Sequence, residues 1–110
     1  MGVSGMPIQI FFNKTSPESD PMFNEKSRKI MMDLMSKRDG LLKKHGIKEL
    51  GNWYVPSEHL VIIVDEAQSL DDFQKLAMEP EYTAMLAYLT YETKVALSAE
   101  EAMKMIKQTK

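Results

Sequence analysis

Two neighbouring stretches, residues 49–55 and 59–66, are largely apolar on both of their strand faces, and this limits the fold more than any other feature of the chain. If Val55 pairs with His59 across the turn Pro56-Ser57-Glu58, Trp53 lies opposite Val61 and Gly51 opposite Ile63. One sheet face then carries Gly51, Trp53, Val55, His59, Val61 and Ile63. The other carries Leu50, Asn52, Tyr54, Leu60, Ile62 and Val64. A soluble sheet with two apolar faces needs a cover on each.

The flanking segments supply covers for one face. Ile8, Ile10 and Phe12 alternate with Gln9, Phe11 and Asn13, the period of a strand, and Thr15-Ser16-Pro17 ends it. Asp20 before Pro21 reads as a helix start, and Phe23, Ile30, Leu34, Leu41 and His45 recur at helical spacing. Met31, Met35 and Leu42 widen that stripe, Gly40 is a weak point, and Gly46 suits a left-handed stop. Ser69 and Asp72 open a second helix through Phe73, Leu76 and Ala77. Pro80 interrupts it before a further turn with Tyr82, Met85 and Leu86. Tyr91, Thr93, Val95 and Leu97 alternate as a last strand, and Ser98-Ala99-Glu100-Glu101 caps a terminal helix.

The order strand, helix, strand, strand, helix, strand is the α+β ferredoxin-like βαββαβ arrangement, a four-stranded antiparallel sheet with a C-terminal helix added. Residues 7–110 are expected to form one domain, with 1–6 a loose tail or expression remnant and Met6 the natural start. Two helices cover one side of such a sheet. The face holding Phe11, Trp53, Val55, His59, Val61 and Ile63 is therefore expected to meet a second copy.

Composition excludes several classes. The 110 residues contain no cysteine, which rules out disulfides and thiolate chemistry and suits a reducing cytosol. The net charge of −2 argues against a general polyanion binder. Residues 21–48 are net +5, but no aromatic side chains interleave with these bases to stack nucleic-acid bases. Leu60–Val64 is the longest aliphatic run, far short of a membrane span. Two histidines with no paired-ligand spacing leave no preformed metal site, and no cofactor motif is present.

The segments Gly51-Asn52-Trp53-Tyr54-Val55-Pro56, Glu58-His59-Leu60-Val61-Ile62-Ile63-Val64-Asp65 and Ser98-Ala99-Glu100-Glu101 resemble those of the dimeric α/β-barrel proteins. The nearest likeness is to small domains related to antibiotic-biosynthesis monooxygenases and muconolactone-isomerase-like proteins. That resemblance spans roughly residues 7–106. It implies a cytosolic homodimer in which two sheets face each other, and often a small apolar cavity between sheet and helices. Enzymes of this kind act on aromatic or polycyclic substrates, sometimes oxidising them without a bound cofactor. Haem-degrading members use an Asn, a Trp and a His. Asn13, Trp53 and His59 match that trio by type, but the faces expected here do not reproduce its arrangement.

His45 and Tyr54 are the candidate proton-handling groups, since an imidazole acts as acid or base near neutral pH. His45 is equally explained as a cation at a helix end. His59 is expected as a satisfied interface histidine. Asn52, Met31, Met35, Met78 and Tyr82 are the candidate ligand contacts, because a buried amide or phenol needs partners and methionine moulds to irregular pockets. Ordinary core packing accounts for the same residues. The sequence thus supports binding or transformation of a compact apolar or aromatic molecule, a non-catalytic dimeric module, or haem handling.

Overall fold

The computed structural model describes residues 6–109, so the first five residues of the expected tail lie outside the described residues. Its strands are β1 (Ile8–Lys14), β2 (Lys48–Val55), β3 (Leu60–Glu66) and β4 (Thr90–Ala96). Its helices are α1 (Glu25–Lys44), α2 (Leu70–Ala77), α3 (Pro80–Leu86) and α4 (Ala99–Gln108). The strands form one antiparallel sheet in the order β2-β3-β1-β4, the ferredoxin-like topology.

Local chemistry sets most boundaries. α1 begins later than the Asp20-Pro21 pair suggests. Asn24 caps it by accepting the Ser27 N–H at 2.9 Å, while Pro17–Ser19 form a separate 3-10 turn. Gly40 does not interrupt α1. At its end Gly46 adopts φ +67°, Gly46 N–H donates to Lys43 C=O and Ile47 N–H to Leu42 C=O. This paired closure brings Ile47 and Leu42 together in the core. Ser69 and Asp72 form a reciprocal capping box at α2, and Ser98 accepts the Glu101 N–H at α4.

The register differs from the expected one, and the difference exchanges the two faces. Val55 pairs with Leu60, not with His59. His59 leaves the ladder in the left-handed region, at φ 52° and ψ 42°, and closes a 3-10 turn over Pro56–Glu58. Side chains alternate with a period of two, so one extra loop residue moves every β3 side chain to the opposite side relative to β2. Phe11, Val61 and Ile63 therefore share the face of Asn52 and Tyr54 beneath the helices, and His59 sits at its rim. They do not join Trp53 and Val55 on the outer face.

A second irregularity falls at Leu50. Glu49 pairs with Asp65, but the next ladder pair is Gly51 with Val64, leaving Leu50 bulged. The bulge brings Glu49 onto the helix-covered face beside Asp65.

The core gathers Leu42, Ile47, Ala67, Phe73 and Leu76, with Phe11, Leu41 and Tyr82 packed against it. Phe11 and Phe73 meet edge to face at 5.8 Å. The opposite sheet face carries Ile10, Phe12, Trp53, Val55, Leu60, Ile62 and Val64. Trp53 is 57% exposed and lies across Gly51, where a Cβ would overlap the indole. α4 buries none of its residues, and Leu97, Met103, Met105 and Ile106 are all more than half exposed. The molecule is correspondingly long, at 54 × 31 × 17 Å. Its radius of gyration of 15.8 Å exceeds the ~13 Å of a compact domain this size. Among the described residues no helix is long and apolar enough to cross a membrane.

Candidate active site

Between the sheet and helices α1–α3 the packing leaves a partly open cavity of about 820 Å³, walled mainly by apolar side chains. Protein interiors normally close to crystal-like density, so a void of this size calls for an occupant. Phe11, Val61 and Ile63 form its floor. Met31, Leu34, Met35 and Met85 form its roof.

At one end stand Asp20, His59 and Tyr54. Asp20 is 1% exposed, yet its carboxylate is fully engaged. Oδ1 accepts the Met22 N–H at 2.8 Å; Oδ2 lies 2.7 Å from His59 Nδ1 and accepts the Tyr54 hydroxyl at 2.7 Å. Burial pushes the Asp20 carboxyl up, but the Met22 amide and the His59 and Tyr54 hydrogen bonds together hold it below its ordinary value. Asp20 is therefore an anion at neutral pH. An ionised Asp20 can only accept, so His59 Nδ1 is the donor in this bond and Nε2 is the ring nitrogen that Asp20 does not engage. The Tyr54 phenol is raised because its hydroxyl donates to Asp20. Tyr54 thus steadies the carboxylate through its hydroxyl hydrogen. The left-handed backbone at His59, a conformation that costs a non-glycine residue roughly 1–3 kcal/mol, is fixed by its turn and by this bond.

A second polar group lies near the other end of β3. Arg38, on α1, is ion-paired with Glu49 and sits 3.8 Å from Asp65 on β3. Desolvation raises Asp65 to about 6, with the Arg38 charge pulling it back only in part. Asp65 Oδ1 has no hydrogen-bond partner among the described residues. The Tyr82 hydroxyl faces the same guanidinium but also lacks a bond of standard geometry.

The candidate residues separate clearly. Asn52, Tyr54, Met31, Met35 and Tyr82 line the cavity. His45 does not; its Nε2 lies 2.7 Å from Glu79, which also binds Lys44, so it ties the end of α1 to the corner before α3. Met78 ends α2 with 76% exposure and faces solvent. Trp53 lies on the outer face while Asn13 and His59 border the cavity, so the Asn–Trp–His trio is not brought together. Asp20, Arg38 and Asp65 escaped the sequence reading. Arg38 carried a usable signal, a charged side chain four residues after Leu34 within an apolar stripe.

No family model matches this chain, and no curated protein matches it. Solved structures do. An uncharacterised NIPSNAP-domain protein from Burkholderia xenovorans aligns with a TM-score of 0.58 at 14% identity, over 86% of this chain and 95% of that one. A putative antibiotic biosynthesis monooxygenase from Nitrosomonas europaea gives 0.58 at 6% identity, over 86% and 99%. A nipsnap family protein with unknown function from Agrobacterium tumefaciens gives 0.57 at 16% identity, over 86% and 88%. Together with the strand order, these likenesses establish that the chain has the ferredoxin-like fold shared by NIPSNAP-domain and antibiotic-biosynthesis-monooxygenase-like proteins.

Proposed function

We propose that the protein is a homodimer that binds a compact apolar or aromatic molecule in the sheet–helix cavity and moves a proton on it through His59. The observation that carries this reading is the His59–Asp20 pair at the rim of a large, mostly apolar void. With Nδ1 donated to Asp20, Nε2 takes a proton from an acidic C–H or O–H of the ligand and returns it at another position. Such an isomerase-type transfer balances without a second reactant. Thr15 Oγ1, also on the cavity wall and without a partner among the described residues, provides a polar contact near His59 for the ligand, since Thr15 N–H donates to the His59 carbonyl.

The homodimer reading rests on the outer sheet face, where Ile62, Val64 and Phe12 surround an exposed Trp53. Apolar patches of this kind are normally covered. The cysteine-free composition supports a cytoplasmic setting.

Native mass spectrometry of protein freshly purified from cells tests for the ligand. Methyl-labelled methionine NMR then locates it, with Met31 and Met35 expected to shift and Met78 to stay fixed. For the proton-transfer role, 15N spectra of the imidazole should place the His59 proton on Nδ1 in the wild type and lose that preference in Asp20→Asn. An unladen protein whose His59 tautomer ignores Asp20 would sink the proposal. Sedimentation tests the dimer separately, with Ile62→Lys expected to give monomers.

A further inference from the structure

The end of the cavity away from His59 carries its own recognition chemistry. Three groups meet there: the Arg38 guanidinium, the Asp65 carboxylate and the Tyr82 phenol. Arg38 already pairs with Glu49, so its charge is answered within the protein. Asp65 is 1% exposed, lines the cavity and leaves Oδ1 without a partner. Buried polar atoms are nearly always bonded, so an orphaned acceptor at the wall of a void marks a missing group. The Tyr82 hydroxyl, next to the same guanidinium, makes no hydrogen bond of standard geometry among the described residues and leaves its own proton undonated.

Charge and valence narrow the class of that missing group. A carboxylate or phosphate would meet Asp65 and Glu49, two acids against one base. An ammonium would meet Arg38. A neutral hydroxyl fits both orphans, because it donates one hydrogen bond and accepts another. It would donate to Asp65 Oδ1 and accept from Tyr82. We propose that this end of the cavity is a hydroxyl-recognition subsite, so that the ligand is a neutral alcohol or phenol whose apolar body lies among Met31, Met35 and Phe11. This subsite presupposes the cavity as the ligand site proposed above. It further predicts the ligand's orientation, hydroxyl at Asp65 and the rest of the molecule directed along β3 toward His59.

Three probes of similar shape separate the outcomes: naphthalene, 1-naphthol and 1-naphthoate. Each is titrated at pH 8 into the full chain, with the Met31 and Met35 methyl resonances as the readout. The expected result is 1-naphthol binding at least about tenfold tighter than naphthalene, the gain of one well-placed hydrogen-bonded group, and 1-naphthoate binding weakest. Tyr82→Phe keeps the ring and is expected to shrink the naphthol-to-naphthalene preference severalfold. Equal binding of naphthalene and 1-naphthol overturns the subsite and leaves the cavity reading standing. Tightest binding by 1-naphthoate also overturns it, in favour of an anion site at Arg38. Failure of all three to shift either methionine overturns the cavity reading itself, and the subsite with it.

Discussion

Replacing Asp65 with asparagine is expected to stabilise the protein above neutral pH. Asp65 lies almost wholly out of water, and that burial lifts its carboxyl from 3.8 to about 6 even with Arg38 nearby. The folded state therefore holds the proton more tightly than the unfolded chain does. A group raised in this way contributes its full share of stability at low pH and loses it as pH climbs toward and through about 6. At 1.36 kcal/mol per pH unit, the rise corresponds to roughly 3 kcal/mol of destabilisation by pH 8, and to roughly 1 kcal/mol near pH 4.5. Asparagine has nearly the same shape and never ionises. Asp65→Asn should thus exceed the wild type by about 3 kcal/mol at pH 8, with the gap narrowing to about 1 kcal/mol at pH 4.5. Asp20, held below its ordinary value, has the opposite sign and loses stability only at lower pH, which is why the comparison stops at 4.5. Urea unfolding followed by far-UV circular dichroism, at one fixed protein concentration, measures both gaps. A variant no more stable than wild type at pH 8, or a gap that does not change with pH, would refute the reasoning. Either result would mean that Arg38 compensates the buried charge in full.

Three other substitutions probe separate parts of the structure. Gly46→Ala places a Cβ on a backbone at φ +67° where nothing crowds it, so the cost is conformational strain alone, about 1 kcal/mol of unfolding free energy, read as a lower urea midpoint at unchanged slope. Gly51→Ala drives its methyl into the Trp53 indole, and the tryptophan emission should change while the far-UV spectrum stays native; an unchanged emission would mean that the ring does not rest on Gly51. His45→Ala breaks the contact to Glu79 and should lower the melting temperature while leaving the naphthalene-induced Met31 and Met35 shifts intact. Loss of those shifts would return His45 to the cavity.

Much of the fold was legible because local chemistry carries it. Proline at positions 7, 17, 56 and 80, the capping pairs Ser69/Asp72 and Ser98/Glu101, and Gly46 mark element ends without reference to tertiary contacts. The candidate site was less legible because it depends on the parity of one loop. Val55 pairs with Leu60, and no composition rule distinguishes that from pairing with His59; only the left-handed His59 backbone does. Tyr54, Asn52 and the α1 methionines reached the cavity because their strand face and helix stripe were assigned correctly relative to the helices. Asp20 resembled a helix cap, and its partners Tyr54 and His59 lie more than thirty residues away, a separation that no periodicity reports.

The hinge of the whole arrangement is the inverted dihedral at His59. Because His59 steps out of the ladder, a single-residue deletion anywhere from Pro56 to His59 would offer the sheet a choice. It could keep Val61 and Ile63 facing inward by straining the connection, or relax the connection and turn those side chains outward. Relaxation would send Leu60, Ile62 and Val64 into the void and strand Tyr54 apart from its histidine neighbour. The loop therefore decides which side chains of β3 turn toward the helices, and a one-residue change there would need a compensating bulge like the one at Leu50 to keep them inside.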